Sequence, residues 1–475
     1  MKNICRLLCV LILCAYFTLQ AAAFDYRDNG YALSEDGKQR VAIPKPYTVK
    51  TVIKEFGGSQ TTLNSPQDLF LSETGEYYIA DTENDRIIKL DSDFQFIAEF
   101  TQADDSALSK PTGVFVDNVG DLWVADSGNA RIVHLDEQGK YIEKFVKPES
   151  DLLYNVTSFV PTKIAINPIN NYLYIIMGKQ FMMLDAANQF KGYVGANQIG
   201  FNFFNWLVQN FASEELKFQL TKVEPPSYSN FMMTEDGRVV AVGMSSNSRI
   251  SIINTVGSNI YPSGNYGEVA YEDDGTPINP LFVDVTIDDN QIISVIEQNS
   301  KFIYQYDFEG QLICFFGGEG LSAGFFGMPS SIVSDKQGNL VVLDSMLNQI
   351  QVFQPTEFIS LVHNAIVQYN AGFYEESMAS WDRVKEKDST YGLSRNFIGK
   401  IRMKNGQYTE ALEDFRLSGD KVNYGKTFES LRYQFLQKYF YVIVISAAVL
   451  FILLALLIKK SRKFISNLQA KLWKQ

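Results

Sequence analysis

Histidine and cysteine are nearly absent. His134 and His363 are the only histidines in 475 residues, too few for a zinc centre built on histidines, and that class of site is excluded on this count. Of four cysteines, Cys5, Cys9 and Cys14 crowd into the start of the chain, so Cys314 has no partner in the remainder and no disulfide framework holds the protein. No phosphate loop or Cys-x-x-Cys occurs, which leaves the usual nucleotide and thiol-redox chemistries without their machinery. Acidic residues are missing from the last 17 positions, where Lys459, Lys460, Arg462 and Lys463 are concentrated.

What is present at the two ends is apolar. Lys2 and Arg6 precede "LLCVLILCAYFTL", and Ala21, Ala22 and Ala23 follow it, the charged, apolar and small-residue order of a cleaved secretory signal over residues 1–23. Bulky Leu8 and Leu13 before Cys9 and Cys14 argue against a lipid-attachment site. The second run, Tyr439 to Ile458, has no charge and is long enough for a helix crossing about 30 Å of hydrocarbon. The basic tail 459–475 behind it predicts a cytoplasmic C-terminus, with Tyr439, Phe440 and Tyr441 at the opposite interface. The expected protein is therefore single-pass, with its ectodomain outside the cell and the bilayer as a partner through 439–458.

Setting aside the signal and the tail, 34 Lys and Arg face 54 Asp and Glu, a balance of about −20 that argues against nucleic acid or anionic lipid as partner. A large ectodomain without disulfides points to a bacterial envelope; elsewhere Asn155-Val156-Thr157 would be a glycosylation acceptor.

Between the ends, one phrase recurs. "ADTENDRIIKLD" at 80–91 returns as "ADSGNARIVHLD" at 125–136, and the match at a spacing of 45 extends to Pro66/Pro111, Gly75/Gly120, Asp81/Asp126, Asn84/Asn129, Arg86/Arg131 and Phe100/Phe145. Each unit reads as four short apolar strands split by turns, one blade of a propeller. Weaker copies at Lys163–Tyr193, Ser229–Asn254, Leu281–Phe316 and Ser330–Phe353 bring the count to six. The last copy stops at "NQIQVF" before Pro355, and "TVIKEFGG" at 51–58 matches the final strand of blade five, so Val52–Phe56 is predicted to pair with Ile350–Phe353 and close the ring. The fold class is an all-β six-bladed propeller over 44–354, after a linker at 24–43. A helical segment and one membrane helix follow.

The phrase resembles the NHL repeat, whose blades carry Asn-x-Arg before an apolar strand. Asn247 and Arg249 keep the pair in blade four, Asn299 and Lys301 approximate it in blade five, and Leu347 and Gln349 have lost it in blade six. These residues read as glue between blades rather than a binding code. From Phe358 the pattern turns helical. Gly372, Tyr374 and Trp381 return 34 residues later as Gly406, Tyr408 and Phe415, which resembles tetratricopeptide repeats over 356–424, with Gly399 and Ala411 at that family's small packing positions. That segment is a stalk or a concave groove for a peptide or neighbouring protein; residues 425–438 lead from it into the membrane.

Meander topology puts the b-to-c loops and the connections between blades on one face. Asp81, Asp126 and Asp344 begin such loops, while Asp104, Asp105, Glu149, Asp151, Glu272, Asp273 and Asp274 fall in or near the connections, so this face is expected to be acidic and to hold the ligand. The long insertion 195–225 adds Phe201, Phe203, Phe204, Trp206 and Phe211, either a plug for the channel or a lid or platform for a sugar ring or partner. His134, in the place of Lys89, is expected to face solvent. Six-bladed relatives include calcium-dependent lactonases and metal-dependent lyases, and carboxylates with Asn could form a calcium site. No cofactor is otherwise expected and no catalytic residue is assigned. The resemblance to bacterial proteins of this layout implies an accessory component beside a membrane permease or sugar system. The leading expectation is an extracytoplasmic binding or scaffolding module for an envelope or permease protein or an extracellular glycan. The alternative is a calcium-dependent lactonase- or lyase-like enzyme on an extracellular sugar derivative.

Overall fold

A strand buried on both faces reads as a near-continuous apolar run, and a strand with one wet face alternates. The second strand of each predicted blade is of the first kind: Tyr77–Asp81, Leu122–Asp126, Leu173–Met177, Val239–Gly243, Ile293–Glu297 and Leu340–Asp344 are each buried throughout. The computed structural model describes residues 31–33, 40–42, 44–104, 106–150, 153, 158–178, 180–195, 227–243, 249–267, 270–271 and 277–472. The expected signal 1–23 and the candidates Phe203, Phe204 and Trp206 lie outside the described residues, as do Asn155 and most of the acidic connection residues.

Six sheets form in chain order, with strands a to d running from the axis outward. The a strands are Asp68–Leu71, Pro111–Val116, Pro161–Ile166, Tyr228–Met233, Phe282–Ile287 and Pro329–Ser334, and those of neighbouring blades lie against one another. The apolar core sits in the seams between blades. Val114, Val124 and Val133 of blade two pack on Tyr78 and Ile87 of blade one, and blades two with three, three with four, and four with five repeat the arrangement. Blade four shows three strands among the described residues.

Blade six is completed from the other end of the chain. Strand Tyr47–Ile53 pairs antiparallel with Gln349–Pro355, from Ile350↔Ile53 to Pro355↔Tyr47. The closing strand thus starts earlier than the sequence pattern placed it and stops at Ile53; Phe56 instead turns into the core between blades six and one beside Leu63. Thr356 secures the join, its N–H and hydroxyl donating to the Pro46 and Lys45 carbonyls at 3.0 and 2.6 Å.

Helices α1 (Glu357–Asn370), α2 (Tyr374–Lys387), α3 (Gly392–Lys404), α4 (Tyr408–Ser418) and α5 (Lys421–Leu472) follow. Two compact units divide within α1, at Val367/Gln368. In the first, His363 reaches Gln305 Oε1 at 3.2 Å, and burial pushes its imidazole down to about 4. In the second, Trp381 stacks on Phe397 at 4.9 Å, and Gly399 gives way to the Phe415 ring, which a Cβ would meet at 2.9 Å. The expected juxtamembrane and membrane segments are one continuous helix, α5, long and apolar enough to cross a membrane.

Candidate functional site

The repeated phrase builds a carboxylate hub. After strand b the chain makes one turn of 3-10 helix, Thr82–Asn84 or Ser127–Asn129, and leaves it through a left-handed residue, Asp85 or Ala130. That geometry folds the Asn and Arg back onto the Asp. Asp81 accepts from Asn64 N (2.7 Å), Asn84 Nδ2 (2.9 Å) and Arg86 Nε (2.8 Å). Asp126 accepts from Ser109 N (2.7 Å), Asn129 Nδ2 (2.9 Å) and Arg131 Nε (2.6 Å). Asp344 takes the backbone N–H groups of Gly327, Met328, Met346 and Leu347. All three are fully buried, so the structure assigns these sequence candidates to tying the incoming loop to the blade, not to an exposed acidic face.

In blade five Glu297 takes the same post, receiving Leu281 N, Asn299 N and Ser300 N. The left-handed residue there is Lys301 and strand c begins at Phe302, so Phe302, not Lys301, stands in the place of Arg86. The sequence alignment of blade five was one residue out. Arg249 of blade four donates to the Tyr266 carbonyl at 2.7 Å; Asn247 lies outside the described residues.

The axis carries a polar group that period matching did not reveal. The third residue of the a strand in blades two to six is Gly113, Lys163, Asn230, Asp284 or Ser331, and the equivalent residue of blade one is Asp68, which opens its shorter a strand. Lys163 Nζ lies 2.6 Å from Asp68, and Ser331 donates to Asp284 at 2.6 Å. Three of these side chains also reach the next blade's backbone: Asp68 accepts from Val114 N (2.9 Å), Asp284 from Ile332 N (2.8 Å), and Ser331 Oγ from Leu69 N (3.2 Å). Burial pushes Asp284 up to about 6, with Lys163 opposing and Asp68 reinforcing the rise. Burial works to lower Lys163, but the Asp68 and Asp284 charges outweigh it and hold the ammonium above its ordinary range.

A third cluster corrects the expectation for histidine. His134 is buried, not solvent-facing, because its cross-strand partner Trp123 stacks on it at 3.7 Å. It joins Asp117 and Asp121, with one ligand atom from each within 4.8 Å of the others, so two histidines in the chain do not by themselves exclude a histidine-containing metal set. The donors are engaged, however. His134 lies 3.1 Å from both Asp121 and Glu143, while Asp117 takes Val119 N, Asp121 N and Trp123 Nε1. Blade one has the same construction in Tyr78, Lys89 and Glu76, with the ammonium over the ring at 5.4 Å and 3.0 Å from the carboxylate. An imidazole and two occupied carboxylates do not suit calcium, which takes six to eight oxygens.

The NHL repeat model matches residues 108–135. The matched segment spans strands a to c of blade two and contains the Asp126 hub, and the other blades of the six-bladed propeller repeat its design with substitutions. Among solved structures, the chain resembles a streptogramin B lyase (14% identity, 66% of this chain and 100% of that chain, TM-score 0.42). It also resembles virginiamycin B lyase from Staphylococcus aureus (12%, 65% and 100%, 0.40) and the WD40 β-propeller domain of Doa1 (9%, 66% and 99%, 0.39). No curated protein matches the chain.

Proposed function

We propose that this chain is a membrane-anchored binding or scaffolding protein whose NHL propeller presents a partner site outside the cytoplasm. The observation that carries the reading is the occupation of its reactive side chains: Asp81, Asp126, Asp344, Asp284 and His134 each hold a loop, a neighbouring blade or a stacked ring in place. A propeller whose acids are structural offers its loops and seams for recognition. The apolar run of α5 and the basic residues after it support anchoring with the C-terminus inside. An envelope or permease protein, or an extracellular glycan, is the partner class this layout suits.

The test is crosslinking of the full chain in native membranes followed by mass spectrometry, alongside calorimetry with calcium and lactone hydrolysis on detergent-purified chain. A reproducible partner with no chelator-sensitive turnover is expected. Lactone turnover that chelator abolishes would establish the enzyme alternative instead.

A further inference from the structure

Where blades one to three have a d strand, residues 254–266 of blade four form a loop whose tip is pinned at both ends. Arg249 Nη1 donates to the Tyr266 carbonyl at 2.7 Å, and the Tyr266 hydroxyl donates to the Pro262 carbonyl at 2.6 Å. Gly267 N donates to the Tyr306 hydroxyl, and the Tyr261 hydroxyl to the Asp307 carbonyl, both at 2.9 Å. Tyr261 and Tyr266 are buried, whereas Ser263 and Asn265 between them are exposed. A loop tied in this way holds those two side chains in place before a ligand arrives, which lowers the ordering cost of binding.

Blade five has changed to match. In blade one, Arg86 of strand c and Glu99 of strand d pair at 2.9 Å. Phe302 and Phe315 stand in those places in blade five, with ring centroids 5.3 Å apart. Phe315 also stacks on Tyr304 at 5.6 Å and 30°. Tyr304 is buried, but Phe315 stays 47% exposed and Leu312, on the same strand, 43%. A cavity of about 490 Å³, within the range of small-molecule sites, opens here. Ser263, Asn265, Tyr304, Tyr306, Leu312 and Phe315 help to line it. No Lys, Arg or His does so among the described residues, and the Glu309 carboxylate on its wall already accepts from Gln311 Nε2 at 3.2 Å.

We propose that this cleft seats a neutral pyranose ring of an extracellular glycan, its C–H face lying on Phe315 and its hydroxyls bonded to Asn265 and Ser263. A sugar whose ring substituents are equatorial presents a flat apolar face, which an exposed aromatic ring matches. Amide and hydroxyl side chains both donate and accept, as sugar hydroxyls do, so the two suit a ligand that is polar at its rim and uncharged. The wall offers no base to an acidic sugar, and the acidic balance of the chain repels one. An extended peptide would need a free strand edge, but strand c of blade four is capped at Ile252, whose N–H and carbonyl bond Asn259 Oδ1 (3.0 Å) and Ile260 N (2.8 Å). This assignment rests on the binding reading above and selects the glycan among its partner classes.

The experiment titrates the full chain in phosphatidylcholine nanodiscs, free of sugar-based detergent, with cellotetraose, with chitotetraose and with cellotetraose oxidised to the uronic acid at C6. At least one neutral oligosaccharide should saturate, and the uronic form should bind more weakly than that ligand. Phe315→Ala should weaken the saturating ligand about 10-fold or more, as truncation of an aromatic anchor does, while Phe315→Trp should retain it. Asn265→Ala should weaken it about 2- to 12-fold, the net worth of one neutral hydrogen bond. Asn265 is exposed, so this variant should keep the parent melting temperature and still report on the site if Phe315→Ala fails to fold. No saturable binding by either neutral oligosaccharide, equal or tighter binding of the uronic form, or affinity unchanged in the Phe315→Ala and Asn265→Ala variants would overturn the assignment. A membrane partner still captured by crosslinking would then leave the broader binding reading standing; failure of both would end both.

Discussion

At the scale of single residues, the acids that draw the eye in the sequence are fasteners. Asp81 has no exposed surface and faces three donors, one of them the equally buried Arg86 guanidinium. Removing one member of such a pair strands the other charge, which costs about 3–5 kcal/mol. Asp81→Ala should lower unfolding stability by that order in chemical denaturation, whereas Glu83→Ala, an exposed neighbour, should change it by less than about 0.5 kcal/mol. The axial Asp284 gives a pH test. Its folded value of about 6 lies above the ordinary carboxylate range, so the folded state holds the proton more tightly. The stabilisation is complete below about pH 4 and is lost as pH rises through about 6, amounting at most to roughly 3 kcal/mol. Asp284→Asn should flatten that part of the stability–pH curve. The hub was legible because Asp, Asn and Arg recur by identity. The axial ring was not, because it conserves a position while its chemistry varies from Asp68 through Gly113 to Lys163. Gly113 is fixed by room, since a Cβ there would sit 2.7 Å from the Thr162 carbonyl oxygen.

At the scale of elements, sequence reading reached strands more easily than their ends. All six blades and the closure by an N-terminal strand were legible, since most hairpins carry a Gly or Asn turn and strand b is mostly apolar. The closing register was misplaced because "TVIKEFGG" matched a d strand by composition, while pairing follows the alternation from Tyr47, which is buried and donor-linked to Gln305. His134 was misjudged for a related reason: its exposure depends on Trp123 across the ladder, a partner that spacing along one strand does not show. Deleting residues 44–58 strips blade six of its outer strand and exposes the Gln349–Pro355 edge. The melting temperature should fall sharply; an unchanged curve would refute the role assigned to this strand.

At the scale of the whole molecule, the chain combines a ring of small sheets with a set of packed helices ending in a long apolar one. The long apolar helix was the plainest feature of the sequence, because Tyr439–Ile458 holds twenty residues without a charge. The cavity beside Tyr304 and Phe315 was invisible there. It depends on two neighbouring blades departing from the repeat in complementary ways, one in backbone course and one in side-chain chemistry. Full chain should stay in the pellet under alkaline carbonate extraction, and deletion of 439–458 should release it; pelleting of both would contradict the anchor.

The central claim is that the ring closes by pairing the start of the domain with its end, and one crosslink tests it directly. Thr48 and Gln354 are cross-strand partners, both exposed, some 300 residues apart in sequence. With Cys314 replaced by Ser, Thr48→Cys and Gln354→Cys should oxidise to a disulfide within the folded chain, seen as a linked peptide by mass spectrometry. Thr48→Cys paired with Gln138→Cys on blade two should not. Absence of the first link, or equal yield of both, would contradict the closed wheel.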